Sequence, residues 1–178
     1  FALYGPIFPG ALKHGGSSWA GFVNHIYITN QGIYGIAVGV MAQYVFLFIL
    51  FGVLATRIGL GQLFIDLAMV IAGRYSGGPA KVAIFSSAFL GTISGSSIAN
   101  TVTTGSLTIP AMKKVGYPPH FSGAVEATAS TGGQITPPIL GAAAFIMVEY
   151  LELPLRDILA AALIPALLHY FGIFVMVH

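Results

Sequence analysis

Cysteine is absent from this 178-residue chain and charge is scarce, with seven Lys or Arg and five Asp or Glu making up 7% of the residues. The first absence excludes disulfides and thiol chemistry. The second argues against a water-soluble globule, in which roughly a quarter of the residues carry charge. The seven basic residues form no dense stripe, so the net charge of +2 does not point to nucleic acid. Catalytic motifs are missing too. No G-x-S-x-G elbow, S-x-x-K pair, H-E-x-x-H helix or G-x-x-x-x-G-K phosphate loop occurs, which leaves a hydrolase or ATPase without its chemistry. A serine protease built on Ser96 or Ser97 would have only His169 as a conceivable base. His14, His25, His120 and His169 share no i, i+4 spacing, so no metal site is expected. No secretory signal is visible, and the chain opens at Phe1 and stops at FGIFVMVH inside apolar runs, as an excerpt of a longer polypeptide would.

What is present is hydrophobic: 56% of the residues, with 23 glycines and 10 prolines as punctuation. Most of the surface should therefore face lipid or protein, and the expected fold is an all-α integral membrane protein. Residues 1–32 read as the end of a membrane helix followed by an extracytoplasmic loop, because Pro9 and Gly10 interrupt the first apolar run. Residues 33–76 read as a scaffold span followed by an interfacial arm helix. The uncharged run from Ile33 to Ala55, at 1.5 Å per residue, covers about 34 Å. The stretch LFIDLAMVIAGR after it is too short to cross, and Asp66 and Arg74 suit it to the interface. Residues 77–152 hold two anomalies, and residues 153–178 read as a further span with Pro165 inside it.

The first anomaly lies between Val82 and Met112, where SGSSIANTVTTG places small and hydroxyl residues in the middle of an apolar run. A re-entrant hairpin of two half-helices, about 12 residues and 18 Å each, accounts for it. The second is STGGQITPP, from Ser130 to Pro138, where paired Gly and paired Pro cannot continue an α-helix, so a discontinuous helix is expected. Arg57, Arg74, Lys81, Lys113 and Lys114 fall on the side where the hairpin opens, which places that side in the cytoplasm.

Irregular backbone at membrane depth persists only where protein, water, an ion or a ligand satisfies it. Two such breaks side by side expose carbonyls at helix C-termini, suited to a hard cation, and amides at N-termini, suited to an anion. Ser94, Ser96, Ser97, Asn100, Thr101, Thr103 and Thr104 in the first break, with Ser130, Thr131, Gln134 and Thr136 in the second, add neutral oxygens. Small hydroxyl residues also serve simple helix packing in membranes, and that reading stays open beside the site. So does a pore-forming channel subunit, since pores also use broken helices. Glu126, about one turn before the second break, is a candidate proton carrier. Alternatively it lies near the interface or pairs with Lys113 or Lys114.

The segments GGPAKVAIFSSAFLGTISGSSIANTVTTGSLTIPAMKKVGY (Gly77 to Tyr117) and GAVEATASTGGQITPPILGAAAF (Gly123 to Phe145), with HIYITNQGIYG (His25 to Gly35) as a weaker match, resemble the large membrane (permease) subunit of TRAP transporters, in particular the fused permeases that work with TAXI-type binding proteins. The resemblance implies one inverted repeat of an elevator-type symporter in a bacterial or archaeal inner membrane. A periplasmic TAXI-type substrate-binding protein would deliver small organic anions, carboxylates by family expectation. It further implies a cation site formed by the hairpin and the broken helix, which maps onto Ser94, Gly95, Ser97, Asn100, Gly132, Gly133, Thr136 and Pro137. Sodium suits these oxygens, with the proton as the alternative coupling ion and no cofactor besides. A second repeat and a small membrane subunit, or a fused segment, are the other expected partners, because this chain holds one hairpin and one break.

Overall fold

The computed structural model describes residues 2–30 and 32–178, and among these there are helices and turns but no β-strand. The chain divides into two compact units, Phe1–Gln43 and Tyr44–His178.

In the first unit, two 3-10 turns, Gly5–Ile7 and Gly10–Leu12, precede a nine-residue helix α1, Trp19–Tyr27, and a short helix α2, Ile36–Val40. Where a helix end and a loop were expected, the described residues form two 3-10 turns and α1. Pro6 and Pro9 have no N–H to donate, so the apolar run is cut into single turns rather than one helix. Ser18 starts α1 by capping it: its Oγ accepts the Gly21 N–H at 3.1 Å.

A π-helical turn, Met41–Val45, leads into α3, Phe46–Arg57. The helical run Ile36–Arg57 has 22 residues, as has α9, Leu155–Met176, and among the described residues these are the two stretches long and apolar enough to cross a membrane. Only 17% of each apolar window is buried within the chain. Phe46, Leu167 and Phe171 are each more than 60% exposed, as side chains facing lipid or another protein surface would be. Helix α9 continues through Pro165. Between the spans, α4 (Leu60–Ala72) is too short to cross, at about 20 Å. It lays Ala68 and Ala72 against Val82.

The centre of the second unit is α5, Gly78–Ser94, of whose 17 residues ten are buried. It packs against α3, α4, α6 (Ser97–Lys114), α7 (Pro119–Thr131) and α9. Ala80, Ala83 and Ile84 meet Met112, Val125, Ala129, Ile173 and Val177 in one core. The alanines let the backbones approach closely, which in a membrane replaces a hydrophobic driving force. Helices α5 and α6 form the hairpin, but with arms of 17 and 18 residues, about 26 and 27 Å, rather than half-helices of 18 Å. The arms outrun the apolar stretch at both ends. Pro79 sits in the first turn of α5, where its missing N–H has no cost, and Lys113 and Lys114 end α6, where they complement the helix dipole.

Helix α7 stops at Thr131 and gives way to a 3-10 turn, Gly132–Ile135, then to a bent, non-helical stretch with a cis bond between Pro137 and Pro138. The chain resumes as α8, Ala142–Leu151. The expected discontinuity is thus present. Lys81, one of the five basic residues expected on the cytoplasmic side, is buried within the chain. It is 3% exposed, its ammonium donates to His178 Nδ1 at 2.9 Å, and it lies 4.9 Å from the centre of the Phe174 ring.

Candidate cation site at the hairpin tip

The hairpin turns through Gly95 and Ser96. Gly95 closes α5 at φ +58°, a left-handed conformation that glycine adopts without strain, and a Cβ there would lie 2.6 Å from the Leu140 carbonyl oxygen. Both facts require glycine. Ser96 caps α6, its Oγ accepting the Ala99 N–H at 3.3 Å. The tip is pressed onto the helix break at three places. Gly95 meets the carbonyls of Ile139 and Leu140, Gly91 lies against the Gly133 backbone, and the Gln134 amide donates from Nε2 to Ser97 Oγ at 2.8 Å.

Of the eight residues mapped from the resemblance, the structure gathers most at this junction. Asn100 is fully buried, donates from Nδ2 to the Ser87 carbonyl at 2.9 Å, and would lie 3.1 Å from a Cβ on Gly133. Ser97 carries the bond from Gln134. Ser94 ends α5 and lines, with Ser96, a cavity of about 460 Å³ against Gly52, Thr56 and Arg57 of α3. Gly132 stands apart from the tip: a Cβ there would run into His169 and Tyr170 of α9. Thr136 turns the same way, donating to the Gly132 carbonyl at 2.7 Å with its hydroxyl 3.1 Å from that of Tyr170. Pro137 contributes the cis junction to Pro138. The donor set is chemically uniform. It consists of an amide oxygen, hydroxyls and helix-end carbonyls, and this chemistry suits a hard cation.

Glu126 is fully buried on α7, and neither Lys113 nor Lys114 reaches it. Its Oε1 accepts from Thr104 at 2.5 Å, from Ser130 at 2.9 Å and from Ser87 at 3.3 Å, and its Oε2 accepts from Thr108 at 2.5 Å. The only ion pair among the described residues is Arg156 with Asp157, on the surface. Four hydroxyls, three on Oε1 and one on Oε2, satisfy the group without a countercharge. Sequence reasoning named Glu126, Thr104 and Ser130 but missed Ser87, Thr108 and the role of Gly91. Part of the signal was there: Asn100, Thr104 and Thr108 recur every four residues, as do Glu126 and Ser130, which puts each set on one helix face. Ser87 carries no such mark, because its partners lie 17, 39 and 43 residues away.

These elements define an all-helical membrane protein built around a hairpin and a discontinuous helix. Residues 12–178 match the family described as tripartite ATP-independent periplasmic transporter, DctM component, and the chain belongs to that family. Among curated proteins it is 38% identical to a putative TRAP transporter large permease protein of Haemophilus influenzae, over 51% of this chain and 21% of that protein. It is 32% identical to the C4-dicarboxylate TRAP transporter large permease protein DctM of Pseudomonas aeruginosa, over 73% of this chain and 30% of that protein. It is 41% identical to the isethionate TRAP transporter permease protein DctMQ of Oleidesulfovibrio alaskensis, over 51% of this chain and 14% of that protein. The matched segments thus span less than a third of the length of these relatives. No solved structure matches the chain.

Proposed function

We propose that the chain forms the first repeat of the transport domain in a sodium-coupled symporter that imports small organic anions, carboxylates among them. The observation that carries this reading is the contact of the hairpin tip with the helix break, which concentrates neutral oxygens around Asn100, Ser97 and Gly133. Sodium rather than a proton is the coupling ion in this reading, because the contact of tip and break gathers neutral oxygens, while the Glu126 carboxyl is already engaged by four hydroxyls. Two relatives named for C4-dicarboxylates support the carboxylate class. The partners are a periplasmic binding protein of the TAXI type, a second repeat with its own hairpin and break, and a small membrane subunit or its fused equivalent. The complex resides in the inner membrane of a bacterium or archaeon.

The test is uptake by a permease of full family length carrying this segment, reconstituted in vesicles with its binding protein. An imposed sodium gradient should drive accumulation, and Asn100→Ala should raise the sodium concentration needed for half-maximal uptake by tenfold or more, the loss of roughly one charge-assisted ligand contact. Accumulation at full rate without the binding protein, or an unaltered sodium requirement in Asn100→Ala, would overturn the reading. Discrete single-channel currents in place of saturable uptake would also overturn it, in favour of a pore.

A further inference from the structure

One buried seam runs between the hairpin and α7: Ser87 on α5, Asn100, Thr104 and Thr108 on α6, Glu126 and Ser130 on α7, none more than 2% exposed. Its hydrogens can be counted, because a hydroxyl donates only one. The Thr104 hydroxyl lies 2.5 Å from Glu126 Oε1 on one side. On the other it lies 2.9 Å from the Asn100 backbone oxygen and 3.5 Å from Asn100 Oδ1, with the Ser87 hydroxyl, farther off than the backbone oxygen, at 3.2 Å. It serves one side at a time. With Glu126 ionised, Thr104, Ser130 and, at longer range, Ser87 donate to Oε1 and Thr108 donates to Oε2, which leaves the Asn100 oxygens without a hydrogen from Thr104. Adding one proton at Oε1 reverses the bond: the carboxyl O–H donates to Thr104 Oγ1, and Thr104 turns its own hydrogen onto Asn100. The two arrangements differ by that single proton.

We propose that Glu126 is a proton-binding site linked through Thr104 to Asn100, so that protonation of Glu126 and cation binding at the hairpin tip oppose each other. The proposal rests on the reading that Asn100 is a cation ligand. Two effects act in the same direction. An ionised Glu126 places a negative charge across the Thr104 hydroxyl from Asn100 in surroundings of low dielectric, and it also draws the Thr104 hydrogen away from the oxygens a cation would use. Protonation removes both. Nothing else charged bonds to this group among the described residues. From α5 it is faced by Ser87, with Lys81 turned to His178 and Phe174. From α6 it is faced by Thr104 and Thr108, with Lys113 and Lys114 exposed at the far end. On α7 itself His120 is exposed. From α9, His169 is held on the Thr128 carbonyl and Tyr170 on Thr136, and the 3-10 turn after α7 carries no titratable side chain.

The experiment measures the sodium concentration for half-maximal uptake across a pH series, in the full-length permease with its binding protein. Opposed binding makes the wild-type requirement rise on acidification, by up to about tenfold per pH unit once Glu126 is protonated. Glu126→Gln, which keeps the shape but cannot ionise, should show a higher requirement that no longer changes with pH. Thr104→Val, which cuts the relay but leaves the carboxyl group, should flatten the slope, and Thr104→Ser should restore it. Should Glu126→Gln fail to reach the membrane, the Thr104 pair decides. A wild-type slope retained in Glu126→Gln, or in Thr104→Val, overturns the proposal while leaving the cation site intact. An unaltered sodium requirement in Asn100→Ala overturns the underlying site instead, and the linkage with it.

Discussion

Gly91→Ala tests whether the hairpin and the broken helix are truly pressed together. A Cβ at Gly91 would lie 2.6 Å from the Gly133 Cα, 3.4 Å from the Tyr170 hydroxyl and 3.5 Å from the Gly133 nitrogen. Carbon atoms in contact prefer about 3.5–4.0 Å, so the overlap is on the order of 1 Å. The obstruction is backbone against backbone, and no rotamer can relieve it. Overpacking of this kind costs about 1–3 kcal/mol, against a gain of at most about 1 kcal/mol from replacing a helical glycine by alanine. The expected net loss is about 1–2 kcal/mol, a change of roughly 5–30-fold in the ratio of folded to unfolded protein. Gly123 of α7 and Gly172 of α9 are the controls, because an added Cβ there meets nothing within 4 Å, and alanine should be neutral or stabilising. Gly133→Ala should fall between, since its Cβ would lie 3.1 Å from both Asn100 Nδ2 and the Gly91 Cα. Loss of helical circular dichroism during titration with a denaturing detergent gives the ranking. If Gly91→Ala resists as well as Gly123→Ala, the close approach does not exist and the junction has no structural basis.

The Ser97–Gln134 bond joins the tip to the break, so a double-mutant cycle with Ser97→Ala and Gln134→Ala in the same titration should return a coupling of about 0.5–1.5 kcal/mol. A coupling indistinguishable from zero would mean that the two segments are not held to each other there. Tyr170→Phe removes the hydroxyl 3.1 Å from that of Thr136 and should cost about 1 kcal/mol. Adding Tyr170→Phe to Thr136→Val should cost little more, and fully additive losses would contradict the contact.

Much of this protein was legible in its composition and punctuation. Scarce charge and the apolar runs at residues 33–55 and 155–177 required a membrane fold, because hydrocarbon rejects charge and 22 helical residues match its thickness. The small and hydroxyl residues from Ser94 to Gly105 and the paired Gly and paired Pro between Ser130 and Pro138 located both interruptions, the first because such residues do not suit a lipid-facing span and the second because those pairs cannot continue an α-helix. Elsewhere local chemistry overrode the hydropathy pattern. Pro6 and Pro9 cut an apolar run into single turns, and the Ser18 cap begins a helix where a polar loop was expected.

The sequence by itself determined the solvent, the two breaks and the stock of oxygens near them, since each follows from local composition and backbone freedom. Only the tertiary structure decided which of those oxygens meet. Gly91 is one helical glycine among several until α7 ends against it, and Glu126 is an ambiguous carboxyl until Ser87, Thr104, Thr108 and Ser130 close around it from three helices. Lys81 is one of five basic residues on the same side until α9 brings Phe174 and His178 over it. The reason is common to all three: a side chain's partner is chosen by the packing of helices tens of residues apart, and periodicity along one helix gives the face a residue occupies but not what lies opposite.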